Sequence, residues 1–201
     1  MIYFAAAIVA YILGSIPFGY IAGLIAGVDV RQHGSGNIGA TNTLRVLGKK
    51  YGYAVFVGDV LKGFLAVRLA LWLAHFDPAN SYLVGILAAL FVVLGHSFPV
   101  WLRFKGGKGV AAAAGACLGL LPVATFIAIA VWIGMFLVFR YVSLASIIAA
   151  VALAVSAWLL GNATDPILLV FTWLIVGVII LRHRSNIVRL FQGREPRFER
   201  K

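Results

Sequence analysis

Residues 110–139 read VAAAAGACLGLLPVATFIAIAVWIGMFLVF, without one charged side chain. The stretch is either one long kinked membrane span or two spans divided at Pro122. Proline removes a helical hydrogen bond and clashes with the preceding turn, so both readings respect it. The choice decides on which side of a bilayer everything after it falls. If the chain divides at Pro122, the apolar runs are 2–26, 53–74, 81–102, 110–121, 123–139, 143–160 and 167–181. One side then collects Arg31, Arg45, Lys49, Lys50, Arg103, Lys105, Lys108, Arg140 and the basic tail from Arg182. Of the seventeen Lys and Arg, only Lys62 and Arg68 lie elsewhere, inside the second run. The opposite loops, around His75–Asn80, Pro122 and Gly161–Pro166, carry none. An undivided stretch would put Arg140 and the tail on the wrong side. Cytoplasmic loops are enriched in Lys and Arg. The sequence therefore predicts an all-α membrane protein with seven transmembrane helices, N-terminus outside and C-terminus cytoplasmic.

Composition agrees. The chain is 63% hydrophobic and 11% charged, with mean hydropathy +1.02, where soluble domains carry about 25% charged residues. Runs of about 17–25 apolar residues suit helices crossing hydrocarbon, whereas a barrel would show short alternating segments. The first residues lack the basic region of a cleaved signal peptide. No soluble domain, linker or internal repeat interrupts residues 1–201, which read as a single polytopic domain. Cys117 is the only cysteine and lies among apolar neighbours, so it reads as a small buried hydrophobe. The net charge of +11 reads as cytoplasmic loops facing anionic headgroups, not as nucleic-acid binding.

Three polar segments gather on the predicted cytoplasmic side. Residues 34–42 read Gly-Ser-Gly-Asn-Ile-Gly-Ala-Thr-Asn. Gly34, Gly36 and Gly39 allow tight turns, Ser35, Asn37, Thr41 and Asn42 add donors, and backbone amides in such loops converge on anions. The match to G-x-G-x-x-G, with Asp59 at a suggestive distance, is not a dinucleotide site, because no strand precedes it. Residues 95–109 place Lys105 and Lys108 around Gly106 and Gly107, just before a helix whose positive end suits phosphate. His96 in this segment reads either as a general base or as a buried hydrogen-bonding residue at a helix break, and no partner acid is evident beside it. Residues 182–195 mix Arg182, His183, Arg184, Asn186 and Glu195, more than a basic anchor requires. Ser143 follows Arg140 on the same side and offers a hydroxyl.

Inside the membrane, Asp59 and Lys62 stand at i,i+3, where they can pair on one helix face. A functional site and a structural pair snorkelling toward water are both open readings. Arg68 is expected to reach the opposite surface, and Pro17 to kink the first span for packing. No His, Asp and Glu cluster suggests a metal. The inventory of cations and anion-binding donors suits phosphorylated ligands. A small anion transporter and a non-catalytic lipid-binding module are the competing readings. The one-sided polar segments and the lack of an inverted repeat count against the first, and the glycine density against the second.

Taken together and in this order, residues 34–42, 95–109 and 183–195 resemble the acyl-phosphate-dependent glycerol-3-phosphate acyltransferases (PlsY type) of bacterial membranes. The resemblance covers essentially the whole chain. It implies transfer of a fatty acyl group from acyl phosphate to the 1-hydroxyl of sn-glycerol 3-phosphate, giving lysophosphatidic acid and inorganic phosphate. It implies neither acyl-CoA nor acyl carrier protein as donor, and a multi-pass protein of the bacterial inner membrane whose site faces the cytoplasm. No cofactor or metal is expected, and the chain is expected to act as a monomer. By motif, Gly34, Ser35, Gly36, Asn37, Gly39, Thr41 and Asn186 would hold the acyl phosphate. Arg45, Lys105, Ser143 and His183 would hold glycerol 3-phosphate. Lys105, with Ser35, Asn37 and Thr41, would carry the catalytic charge stabilisation, and a donor phosphate oxygen would take the hydroxyl proton.

Overall fold

A computed structural model describes residues 1–76, 81–160 and 166–198, all helix or connecting loop. Most of two of the three loops expected opposite the basic side (residues 77–80 and 161–165) lies outside the described residues, as does Glu199. The chain forms two compact units, Met1–Leu120 and Leu121–Lys201.

In the first unit, α1 (Ile2–Ser15) and α2 (Phe18–Ile25) replace the single run expected at 2–26. The break falls at Ile16 and Pro17, where the chain turns extended. A short amphipathic α3 (Ala40–Leu47) precedes α4 (Lys49–Leu73), and α5 (Ser81–Ser97) is followed by α6 (Val110–Leu120). Helix α5 packs most extensively on α1, and α6 on α4. Small residues make these approaches possible. A Cβ on Gly14 would strike the Val92 backbone, and one on Gly63 or Gly115 would strike the backbones of α6 and α4 respectively. Close backbone contact of this kind drives helix association in lipid, where no hydrophobic effect separates helix from solvent.

In the second unit, α7 (Pro122–Phe139), α8 (Val142–Leu159) and α9 (Pro166–Arg182) pack in sequence, α8 contacting both neighbours. Pro122 opens α7 at its first position, where its missing N–H is harmless, so the helix break read at this proline occurs. Helix α10 (Arg184–Phe191) leaves α9 at 61°. Among the described residues, four helical segments are long and apolar enough to cross a membrane, or five counting the bent α9–α10 pair. Helix α6 is shorter.

Candidate active site

The loop between α2 and α3 is built around Asn42. Its side chain is buried, and all of its polar valences point inward. Oδ1 accepts the Ser35 N–H at 2.8 Å, while Nδ2 donates to the carbonyls of Val30 at 2.9 Å and His33 at 3.1 Å. Gly34 and Gly36 both take left-handed φ, +61° and +68°, which side chains disfavour. At Gly34 a Cβ would also collide with Asn42 Oδ1. Asn37 Oδ1 accepts the Gly39 N–H at 2.7 Å, and the Gly36 N–H returns to His33 O at 3.0 Å. Three amides expected to face a ligand, those of Ser35, Gly36 and Gly39, are thus engaged within the loop. The loop is a rigid platform more than an open nest of N–H groups. The element of the loop whose chemistry suits an anion is the start of α3. Gly39 leads into that helix in extended conformation with no side-chain cap, so the first-turn amides and the helix dipole favour a negative ligand there. Ser35 is exposed and Thr41 half-buried beside it; Arg45, in the last turn of α3, is exposed.

The second loop doubles back on the end of α5. After the 3-10 turn Val100–Leu102, Arg103 and Phe104 both adopt left-handed φ, 50° and 62°. Two successive side-chain-bearing residues in that region are uncommon, and such backbone strain persists only where surroundings impose it. The imposing contacts are a run of backbone bonds: Phe104 N–H to Pro99 O, Lys105 to Leu102, Gly106 to Ser97 and Gly107 to His96, all 3.0–3.2 Å. Lys105 stands exposed on the outside of this turn. Gly106 and Gly107 look in sequence like places for close ligand approach. The structure gives them a different reason, since a Cβ on either would collide with the end of α5, at His96 O and Pro99 or at the His96 ring. Gly109 (φ 82°) then opens α6, and the Ala113 N–H bonds its carbonyl.

The two loops share one buried apolar cluster: Val30, Ile38 and Leu102, with Tyr20, Val46 and Leu47 packed on it. This cluster brings the 34–42 platform and the Lys105 turn together. Arg31, nearby, is not available as an anion-binding cation. It forms a two-point pair with Asp29 (2.7 and 2.9 Å) and lies over the Tyr20 ring at 4.5 Å. Its hydrogen bonds hold the Asp29 carboxyl down at about 2.

Asp59 and Lys62 pair as their spacing suggests, Nζ to Oδ1 at 2.8 Å, but they do not snorkel. Both side chains are 3% exposed, and Lys62 donates to Ile16 O at 2.8 Å, beside the break before Pro17. His96 joins them, Nδ1 lying 3.3 Å from the same Asp59 oxygen. This acid–histidine contact joins α4 to α5 and had no signal in local spacing.

The remaining expected site residues lie in the second unit, where Ser143 and Asn186 meet on Glu195. Its Oε1 accepts Ser143 Oγ–H and Asn186 Nδ2, each at 2.6 Å, and its Oε2 accepts Arg189 Nε at 2.9 Å. Ser143 therefore gives its hydrogen to Glu195 and would meet a ligand as an acceptor, not as the donor expected. His183, buried at the start of α10, holds its ring by Nδ1 to Ile179 O at 2.8 Å. A carbonyl only accepts, so the proton sits on Nδ1. The tail turns back toward the link between α7 and α8. The Phe198 N–H bonds Arg140 O at 2.9 Å, Arg197 Nε bonds Phe139 O at 3.2 Å, and the Phe198 ring meets Phe136 edge-on.

Burial pushes the Glu195 carboxyl up, but its bonds from Ser143, Asn186 and Arg189 outweigh this and leave it below its ordinary 4.5. A carboxyl depressed in the folded state stabilises fully above its unfolded value, and that contribution is lost as pH falls through the folded one. Acidification below about pH 4.5 is expected to loosen this cluster. Thermal unfolding followed against pH should show an acid loss that Glu195→Gln flattens. An unaltered acid limb in Glu195→Gln would remove Glu195 as its cause.

A family model described as glycerol-3-phosphate acyltransferase matches residues 4–193. The chain belongs to this family. Curated glycerol-3-phosphate acyltransferases of Staphylococcus haemolyticus and Staphylococcus aureus (strain JH9) are 43% and 42% identical over 196 residues, 96% of this chain and of each relative. Two crystal structures of PlsY, an integral membrane glycerol 3-phosphate acyltransferase, are similar throughout. The glycerol 3-phosphate form is 44% identical with TM-score 0.90, covering 98% of this chain and 96% of that one. The lysophosphatidic acid form is 43% identical with TM-score 0.88, covering 98% and 95%. The chain is an all-helical integral membrane enzyme, a glycerol-3-phosphate acyltransferase. Within the family frame, sequence reasoning names the residues of both loops and of the Glu195 cluster. It misses that Asn42 and Glu195 hold their neighbours in place and that His96 meets Asp59. Asn and Glu are visible in the motifs, but only tertiary contacts distinguish a ligand donor from an internal pin.

Proposed function

We propose that the chain transfers a fatty acyl group from acyl phosphate to the 1-hydroxyl of sn-glycerol 3-phosphate. The hydroxyl oxygen forms the ester bond to the acyl carbon, the carbon–oxygen bond to phosphate breaks, and the departing phosphate oxygen takes the hydroxyl proton. The products are 1-acylglycerol 3-phosphate and inorganic phosphate, so atoms and charge balance without an enzymic base. The observation that carries this reading is the platform of residues 34–42, leading into the uncapped start of α3 and sharing a buried core with the Lys105 turn.

On this reading Gly34, Ser35, Gly36, Asn37, Gly39 and Thr41 hold the acyl phosphate, with Asn186 adding a donor. Arg45, Lys105, Ser143 and His183 hold glycerol 3-phosphate. Lys105 neutralises charge as the acyl group moves. Catalysis then comes from positioning two anions and from preset charge, with phosphate as a good leaving group. The placement of Lys and Arg supports seven crossings with the N-terminus outside, in a bacterial cell membrane (the inner one where there are two), with the site open to the cytoplasm. The crossings would be α1–α2 together, then α4 to α9. The enzyme works as a monomer, without metal or cofactor, and does not draw on acyl-CoA or acyl carrier protein.

The test is reconstitution of the purified protein with palmitoyl phosphate and glycerol 3-phosphate. Phosphate and lysophosphatidic acid are expected in equal amounts, and chelators should leave the rate unchanged. Equal rates with acyl-CoA, or product only from acyl carrier protein, would overturn the donor assignment.

A further inference from the structure

Asp59, Lys62 and His96 are buried ionisable groups that this chemistry does not use. Their side chains are 3%, 3% and 5% exposed. Replacing a buried ion pair by apolar residues is often neutral or favourable, so stability alone gives little reason to keep one inside a membrane protein. The contacts around it give another reason. On one side, Lys62 bonds Ile16 O and lies 5.5 Å over the ring of Phe18, the first residue of α2. Helix α2 in turn presses on the first substrate loop, since a Cβ at Gly19 would strike the Ile38 carbonyl. On the other side, Asp59 meets His96 Nδ1. The far edge of that imidazole lies against Gly107, where a Cβ would collide with Nε2. The His96 and Ser97 carbonyls receive the Gly107 and Gly106 amides. The ring is thus wedged between a carboxylate and the backbone that carries Lys105.

We propose that Asp59, Lys62 and His96 form a buried brace that sets the 105–109 turn, and so Lys105, in register with the 34–42 platform. They are positioning residues; none acts as a base. The proposal rests on the reading of Lys105 as a substrate-contacting cation. A small displacement of such a group has a large effect on rate, because catalysis by orientation is steep in distance.

A double-mutant cycle on the full-length enzyme tests the brace. Glycerol 3-phosphate is titrated by calorimetry, which gives Kd and stoichiometry separately, and turnover is measured beside it. His96→Ala is expected to raise Kd and lower kcat about tenfold each, with stoichiometry unchanged. In a Lys105→Ala background the same change should alter each by less than about twofold, because the residues act through one another. The paired change Asp59→Leu with Lys62→Met, which leaves no unmatched charge, should reproduce the loss while the protein still unfolds at its normal temperature. Equal factors in both backgrounds, or a fall in stoichiometry at unchanged Kd, would make His96 merely structural and overturn the proposal. If His96→Ala does not insert, His96→Asn enters the same cycle with the same two outcomes. Failure of the underlying reading is distinct: Lys105→Ala alone would then leave kcat and Kd as in the wild type.

Discussion

Lys105→Ala is expected to lower kcat by about 10²–10³-fold, the range found when one preset charge-stabilising donor is removed. The side chain is exposed at the tip of a turn whose backbone bonds run from Phe104, Lys105, Gly106 and Gly107 to residues 96–102. Truncating it removes no packing, so the protein should insert and unfold as the wild type does, within about 0.5 kcal/mol. Lys105→Arg keeps the charge but spreads it over a planar fork, and should recover only part of the rate. Turnover with palmitoyl phosphate, measured beside thermal unfolding of the same preparations, separates the two effects. A rate unchanged by Lys105→Ala would take this residue out of the mechanism.

Asn42→Ala should act in the opposite manner, through stability first. The substitution strips a buried side chain that makes three hydrogen bonds and leaves the Ser35 amide and the carbonyls of Val30 and His33 without it. Losses of this type cost about 1–3 kcal/mol for each buried group left unsatisfied. Some of these groups reach water in an exposed loop, so about 2–4 kcal/mol in total is the expected range. With the pin gone, residues 34–36 lose their fixed course and acyl-phosphate affinity should fall with them. Asn42→Asp should not rescue the protein, because a carboxylate would face two carbonyl oxygens where an amide donates. Thermal unfolding in detergent and the KM for acyl phosphate are the readouts. Wild-type unfolding in Asn42→Ala would show the pin to be idle.

The contrast between these residues marks what was legible in the sequence. Apolar runs and prolines locate the apolar helices to within a few residues, but not the polar α3 and α10. Helix α4 begins at Lys49 and not at 53, because its first turn is polar and carries no hydropathy signal. Pro17 and Pro122 both announced breaks, and both occur. The polar segments were visible because glycine and cationic residues stand out in an apolar chain. Partnerships were not visible. Asp59 finds His96 only because α4 packs on α5, and Ser143 finds Glu195 only because the tail turns back after α10. At Gly106 and Gly107 the structure adds a reason the motif does not carry, since a motif records that a Cβ is excluded but not what excludes it.

The place of Glu195 in the chain has a bearing on biogenesis. Ser143 lies at the start of α8, yet the carboxylate that orients it arrives only after α9 and α10 have been made. Synthesis and insertion run from the N-terminus, so the nascent chain carries Ser143 and Asn186 without their carboxylate partner until residue 195 emerges. A ribosome stalled before residue 195 leaves in the bilayer a protein with all its apolar helices and an unfinished second cluster. Assembly of that cluster is thereby tied to the segment that follows α10, and products that end before it are left without it.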